Sequence, residues 1–419
     1  MATLLLCVIY ASFISLGLPD AMLGAGWPAM RLEFGVPVAY AGILQMIISA
    51  GTIVSSMNSG KILRRFGTGR VTAVSVCMTA LALAGFSYLP SFYWLILAAI
   101  PLGLGAGSVD AGLNAYVAAH YESRHMSWLH SFWGVGALSG PIVISFALSR
   151  SVSWRMGYAS IAAVQALLVV VLAFTLPLWD RVRLRGFIAG GESGGESNGK
   201  TALRGESSLK SESFSSREPV LVSEAHLSLA SVLRIKGVPF ALASFLLYCG
   251  IESSMGLWSA SFLVGVRGVE PASAARWASA FYASITLGRF ITGFLTFRVR
   301  NEDLIRGGAF LILCGVISML LPLHLYATFA GIILVGLGCA PIFPCMLHLT
   351  PARFGANGSQ SVMGVQMAFA YVGSTCVPPS FGALSSYTGL AALPLFALAL
   401  ACGLASATEL ARRKAVSGR

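Results

Sequence analysis

The sequence predicts an all-α membrane protein, with twelve transmembrane helices in two pseudo-symmetric six-helix bundles. Three observations predict it. Hydrophobic residues fill 56% of the 419 positions and charged residues only 11%, against about 25% charged in ordinary globular domains. Twelve segments are long and apolar enough to cross a bilayer, which takes roughly 20 residues per helix. One long polar stretch lies near the midpoint, and glycine and proline patterns recur on its two sides.

The first segment, 3–28, lacks a basic stretch ahead of it and exceeds the apolar core of a signal peptide, so it reads as a retained helix. The next five are expected at 38–60, 69–90, 93–119, 126–149 and 154–178. From about Asp180 to Lys236 the chain turns polar, with GGESGGESNGK and SSLKSESFSS. Such Gly, Ser, Glu and Lys content has little to bury and reads as a flexible cytoplasmic linker. Six further segments follow at 237–264, 272–297, 304–323, 325–349, 358–385 and 389–411. The domains expected are therefore an N-terminal bundle at 1–179, a linker at 180–236, and a C-terminal bundle at 237–419 with a short tail. Pro341, Pro344, Pro378 and Pro379 allow bends in helices ten and eleven, since proline removes a backbone donor.

The halves echo each other. Gly51 matches Gly288 at an offset of 237 positions, and Gly136 and Pro141 match Gly373 and Pro378 at the same offset. Gly103-Leu104-Gly105 answers Gly336-Leu337-Gly338 at an offset of 233. With the midpoint linker, these matches predict a parallel repeat whose substrate site lies between the bundles near mid-membrane. Most of the 46 glycines read as surfaces where membrane helices approach closely.

The formal charge of +12 records topology rather than a nucleic-acid partner. With both termini cytoplasmic, 22 of the 28 Lys and Arg fall in cytoplasmic loops or the tail. Arg31, Arg150, Arg155, Arg267 and Arg276 lie outside, a strong positive-inside bias. The expected location is the cell (inner) membrane, multi-pass. All eight cysteines fall within predicted spans, with no CxxC or Cys/His spacing for a metal, so free buried thiols are expected and disulfides are not. No Walker lysine loop, catalytic triad or metal-activated water site occurs, so neither ATP drive nor enzymatic activity is expected, and no cofactor.

Asp20, Asp110 and Glu252 stand inside long apolar runs. An ionisable side chain at bilayer depth is costly, and usually faces a protein interior or a water-filled cavity on an ion or substrate path. Desolvation disfavours a charged carboxylate, so an acid moved between dry and wet settings takes up and releases protons. That suits a coupled carrier, with Asp20, between Gly17 and Gly24, as first choice for the coupling acid. Asp110 and Asn114 are four apart and share a helix face.

The loop after the second segment reads Gly60-Lys61-Ile62-Leu63-Arg64-Arg65-Phe66-Gly67-Thr68-Gly69-Arg70. It resembles the G-x-x-x-D-R-x-G-R-R loop motif of the major facilitator superfamily. Arg64 stands where that family carries an Asp that latches the halves, so this chain lacks the latch carboxylate. Within the superfamily the chain resembles the fucose permease branch of sugar–proton symporters. The matching passages are Gly17-x-x-Asp20 with Trp27-Pro28, Asp110-x-x-x-Asn114, His130-Ser131-Phe132 with Gly134 and Gly136, and Tyr248-x-Gly250-x-Glu252. His130 replaces an amide of that branch, and Asp110 is one methylene shorter than its usual Glu. The resemblance implies proton coupling at the acid of helix one, and coupling or sugar binding at that of helix four.

Sugars present hydroxyls on a rim and C–H patches on their faces, which suit amides, imidazole and aromatic rings. Asn114, His130, Trp133, Gln366, Tyr371 and Gln45 are the expected substrate residues, with Asp20, Asp110 and Glu252 for coupling. Trp27, Trp94, Trp128 and Trp154, nearer helix ends, are expected as interfacial anchors. Arg289, about two turns from a helix end, is expected to snorkel or pair with a helix carboxyl end. The function expected is proton-coupled import of a monosaccharide or related polar small molecule by a monomer in the bilayer. The alternatives are sodium coupling, a proton-antiport exporter, and a transport-inactive membrane receptor.

Overall fold

Backbone groups inside a bilayer have no water to bond, so each apolar segment satisfies its own N–H and C=O groups as a helix. The structure, a computed structural model, describes residues 2–121, 123–150, 153–192, 229–321 and 324–416. In order its helices are α1 (Ala2–Asp20), α2 (Met22–Phe34), α3 (Tyr40–Phe66), α4 (Thr68–Tyr88), α5 (Phe92–His120), α6 (Ser123–Ser149) and α7 (Trp154–Glu192). A short α8 (Leu229–Arg234) precedes α9 (Val238–Arg267), α10 (Pro271–Leu295), α11 (Asn301–Leu320), α12 (Leu325–Phe354), α13 (Ala356–Thr388) and α14 (Leu393–Val416).

Taking α1 and α2 as one rod, these make twelve long rods, six in each bundle. Among the described residues, ten are long and apolar enough to cross a membrane by length and composition. The other two, α10 and α13, carry polar side chains such as Tyr282, Arg289, Tyr371 and Ser374 toward the interior of the molecule. The predicted linker is helical at both ends, where α7 runs on to Glu192 and α8 begins at Leu229. Positions 193–228 of it lie outside the described residues.

The first segment is not one continuous helix. It breaks at Ala21, between α1 and α2. Pro19 has no N–H for the carbonyl of Ser15, and its ring crowds that turn. The Gln165 side chain donates to the freed Ser15 carbonyl at 2.8 Å. Asp20 thus sits at a helix discontinuity in mid-membrane.

The repeat of the sequence is a repeat of helix crossings. Gly51 of α3 faces Gly103 and Leu104 of α5, and its match Gly288 of α10 faces Leu337 and Ala340 of α12. Gly136 of α6 lies on the backbone of Ile14 and Gly17 in α1, and its match Gly373 of α13 lies on Leu246 of α9. A Cβ would strike the partner helix at Gly288, Gly136 and Gly373 and crowd it at Gly51, so glycine is what lets the pairs close. The turns repeat too. Gly35 joins the first and second rods at φ +64°, and Gly268 joins the seventh and eighth at φ +65°, a left-handed conformation that glycine adopts without penalty.

The bundles meet along a seam that is tied at the end remote from the chain termini. Gly24 of α2 packs on the backbone of Gly256 and Leu257 in α9, and Gly42 of α3 packs on Pro379 of α13. Two hydrogen bonds cross there: Ser145 Oγ donates to the Ala272 carbonyl and Ser279 Oγ to the Leu138 carbonyl, both at 2.6 Å.

Two expected anchors are internal instead. Trp27 is fully buried, its indole donating to the Val38 carbonyl at 2.9 Å. Trp154 is also buried, its indole donating to Glu33 Oε2 at 2.5 Å. Both lie near helix ends in sequence, but the neighbouring rods cover them. Trp94 and Trp128 are exposed, as an interfacial role requires.

Candidate functional site

A cavity of about 240 Å³ opens in the seam at mid-membrane, and both bundles line it. Pro19, Asp20, Gln45, Thr52 and Trp133 come from the N-terminal bundle; Glu252, Tyr282, Tyr371 and Ser374 come from the C-terminal one. Five of the residues singled out in the sequence therefore converge here: Asp20, Gln45, Trp133, Glu252 and Tyr371. Asp20 is solvent-exposed although it lies halfway along its rod, because the surface it faces is that of the cavity.

Small residues set the geometry around Asp20. A Cβ on Gly17 would collide with the Trp133 carbonyl and the Ala137 amide. With glycine there, α1 and α6 approach closely, and the Trp133 indole donates to Asp20 Oδ2 at 2.8 Å. A bond from a neutral donor to an ionised acceptor is stronger than one between neutral groups.

On the C-terminal side of the seam, Arg289 Nη2 of α10 pairs with Glu252 Oε1 of α9 at 3.3 Å, the two side chains being 31% and 17% exposed. The Arg289 guanidinium also lies 5.7 Å from the centre of the Trp133 ring, within cation–π range. The result is a chain of contacts, Asp20–Trp133–Arg289–Glu252, that crosses from one bundle to the other. This corrects the expectation for Arg289: it neither snorkels nor caps a helix end, because a carboxylate and an aromatic face lie within its reach in mid-membrane. An arginine charge at intramembrane depth is the sequence signal for such a partner. Tyr282, also on the cavity wall, carries no comparable sequence signal.

Asp110, Asn114 and His130 do not line this cavity. Leu102 and Ala106 of α5 do, and Asp110 and Asn114 continue their four-residue spacing toward the terminus end. Asp110 is thus one turn, about 6 Å, further along the same helix face. Asn114 donates to Asp110 Oδ1 at 2.9 Å, leaving its own Oδ1 without a partner. His130 is exposed, with its ring edge-on to Phe13 at 6.0 Å, and lies one turn from Trp133 toward the same end. Gln366 is elsewhere: it is buried and accepts from Thr350 Oγ1 at 2.9 Å, tying α12 to α13.

In the loop after α3, Gly67 takes φ +79° and lets α4 start at once. Gly60 meets only the end of Arg64, and Arg64, Arg65 and Arg70 are exposed, with Arg65 5.4 Å from the Phe66 ring. Among the described residues no group of three His, Cys, Asp or Glu could hold a metal ion.

Similar proteins share this architecture. The chain is 21% identical to Bypass of stop codon protein 6 of Saccharomyces cerevisiae over 91% of its length and 77% of the relative's. It is 22% identical to the glucose/mannose transporter GlcP of Bacillus subtilis, covering 81% of this chain and 78% of that one. A bacterial homolog of the human lysosomal transporter Spinster, crystallised in an inward-facing and occupied conformation, superposes with a TM-score of 0.70 at 14% identity, over 100% of this chain and 98% of the other. Residues 9–378 match the Major Facilitator Superfamily profile, and together with the twelve-rod, two-bundle fold this makes the chain a member of that superfamily of small-molecule transporters, not an enzyme.

Proposed function

We propose that this transporter imports a monosaccharide or related polar small molecule together with protons, by alternating access of the central cavity. The observation that carries the reading is Asp20: an acid at a helix break, facing a cavity between two bundles, with one hydrogen-bond donor on it. When ionised, Asp20 holds the Trp133 indole. Protonation weakens that bond, because the acceptor loses its charge, and frees Trp133 to move with Arg289 across the seam. Proton occupancy is thereby linked to the contact between the bundles.

The substrate class rests on the lining. Gln45, Thr52, Ser374 and Tyr371 offer hydroxyls and an amide, and Trp133 offers a ring face, which suits a polyol. At about 240 Å³ the cavity is smaller than the ~300–1,000 Å³ of drug-sized sites, in keeping with a small solute. The named activity of GlcP and the short passages resembling fucose permeases support the same class. Asp110 and Asn114, on the cavity-facing stripe of α5, serve as a further polar station toward the terminus end. We assign both termini and the 180–236 linker to the cytoplasm of the cell membrane, by the charge bias, with the monomer as the working unit.

Uptake by membrane vesicles tests the reading. A proton gradient imposed alone should drive saturable accumulation of a monosaccharide, and a sodium gradient imposed alone should not. Accumulation driven only by sodium, or proton-driven efflux without uptake, would overturn the coupling or the direction proposed.

A further inference from the structure

A second pocket of about 170 Å³ lies at the terminus end of the C-terminal bundle, where the start of α11 meets the ends of α12 and α14. Its rim carries Arg306, Arg353 and Arg412 against Glu302 and Glu409; Asp303 pairs with Arg306 and Arg300, and Arg413 with Glu409, so the cluster sets five arginines against three carboxylates. Arg306 and Arg412 bond Glu409 at 2.9 and 2.6 Å, and Arg353 bonds Glu302 at 3.3 Å. Each guanidinium has five N–H donors, so these contacts leave donors over. The Arg353 Nε is buried with no partner at all.

Away from the rim the pocket becomes apolar. Ile305, Ala309 and Leu313 of α11 line it at four-residue intervals, opposite Ala405 of α14. That stripe runs about 12 Å along the helix. Phe310 beside it is 65% exposed, so the groove opens sideways toward lipid. Arginines at one end and a laterally open apolar trough at the other match a molecule with an anionic head and a hydrocarbon tail. A free phosphate would use the rim alone and leave the trough unfilled. Basic pockets between helices at the cytoplasmic face are suited to acidic lipid headgroups.

We propose that this groove binds one anionic phospholipid, its phosphate on Arg353, Arg306 and Arg412 and an acyl chain along α11. This site is independent of the central cavity and of the transport reading.

Full-length protein purified in detergent tests it, by native mass spectrometry during titration with phosphatidylglycerol, phosphatidylcholine or inorganic phosphate. One phosphatidylglycerol should bind at least tenfold more tightly than phosphatidylcholine. Removing two charges in the double variant Arg306→Gln and Arg412→Gln should weaken it about thirtyfold. Because those residues also brace Glu409, Ala405→Phe provides a second variant that fills the trough and leaves every charge in place, and it should weaken binding similarly. Equal binding of the two lipids, or phosphatidylglycerol binding unchanged in both variants, would overturn the proposal. So would inorganic phosphate binding as tightly as phosphatidylglycerol, which would make the rim a free-phosphate site.

Discussion

Removing Arg289 gives the sharpest test of the contact chain across the seam. In Arg289→Gln, Glu252 keeps its charge in mid-membrane and loses its partner at 3.3 Å. Opposite charges at that distance attract by about 5 kcal/mol at an effective dielectric of about 20, and desolvation of both groups offsets most of it. Breaking a fully buried pair costs about 3–5 kcal/mol, because the remaining charge is stranded. Here the side chains retain 31% and 17% exposure, so each single change, Arg289→Gln or Glu252→Gln, should cost about 2–3 kcal/mol by the same rule. The double change leaves two neutral amides that can bond each other. It should recover most of the loss, with a coupling energy of about 1–3 kcal/mol. Unfolding of the four full-length proteins in a single detergent measures the cycle. A double variant as unstable as the summed singles would show that the pair does not act as a unit, and the relay from Asp20 to Glu252 would fail with it.

Four further outcomes are expected. Asp20→Asn should abolish uphill accumulation while exchange of substrate persists, because the amide imitates the protonated acid; normal uphill uptake would remove Asp20 from coupling. Asn114→Ala deletes the donor to Asp110 and should raise the half-saturating substrate concentration, with the proton dependence of uptake little changed; an unaltered concentration would take Asn114 off the substrate path. Gln366→Ala removes one of two bonds of the buried Thr350 hydroxyl, which keeps its bond to the Met346 carbonyl at 3.2 Å, so it should lower stability by about 0.5–1.5 kcal/mol and leave substrate affinity as it was; a selective loss of affinity would return Gln366 to the binding site. Gly24→Leu places a side chain where the Gly256 carbonyl lies, so uptake should fall at least severalfold at normal membrane levels, and full uptake would mean that close approach of α2 and α9 is dispensable.

Much of the architecture is legible because a bilayer leaves the chain few options. An apolar segment of spanning length must close its own hydrogen bonds as a helix, which makes the rods countable from hydropathy. Even α10 and α13, whose polar residues keep them below a strict apolar threshold, are visible as spans. The glycine repeats are legible for a related reason. A glycine that allows one crossing in the first bundle is needed at the same crossing in the second, as Gly136 on α1 and Gly373 on α9 illustrate.

The sequence by itself determined which residues are unusual in this protein: three acids, a histidine and an arginine where charge is expensive. Only the tertiary structure decided which of them meet. Periodicity along α5 puts Asp110 and Asn114 on one face, but it cannot say that the cavity ends a turn earlier, at Ala106. Nothing local in α10 reveals that Arg289 points at Glu252 and Trp133, since the first depends on how α9 packs on α10 and the second on the seam between bundles that are distant in sequence. Trp27 and Trp154 mislead for the same reason, because proximity to a helix end says where a ring stands along the membrane normal and not which neighbouring rods cover it. Local sequence sets the cost of a polar group in the membrane, and the packing of distant helices supplies the partner that meets the cost.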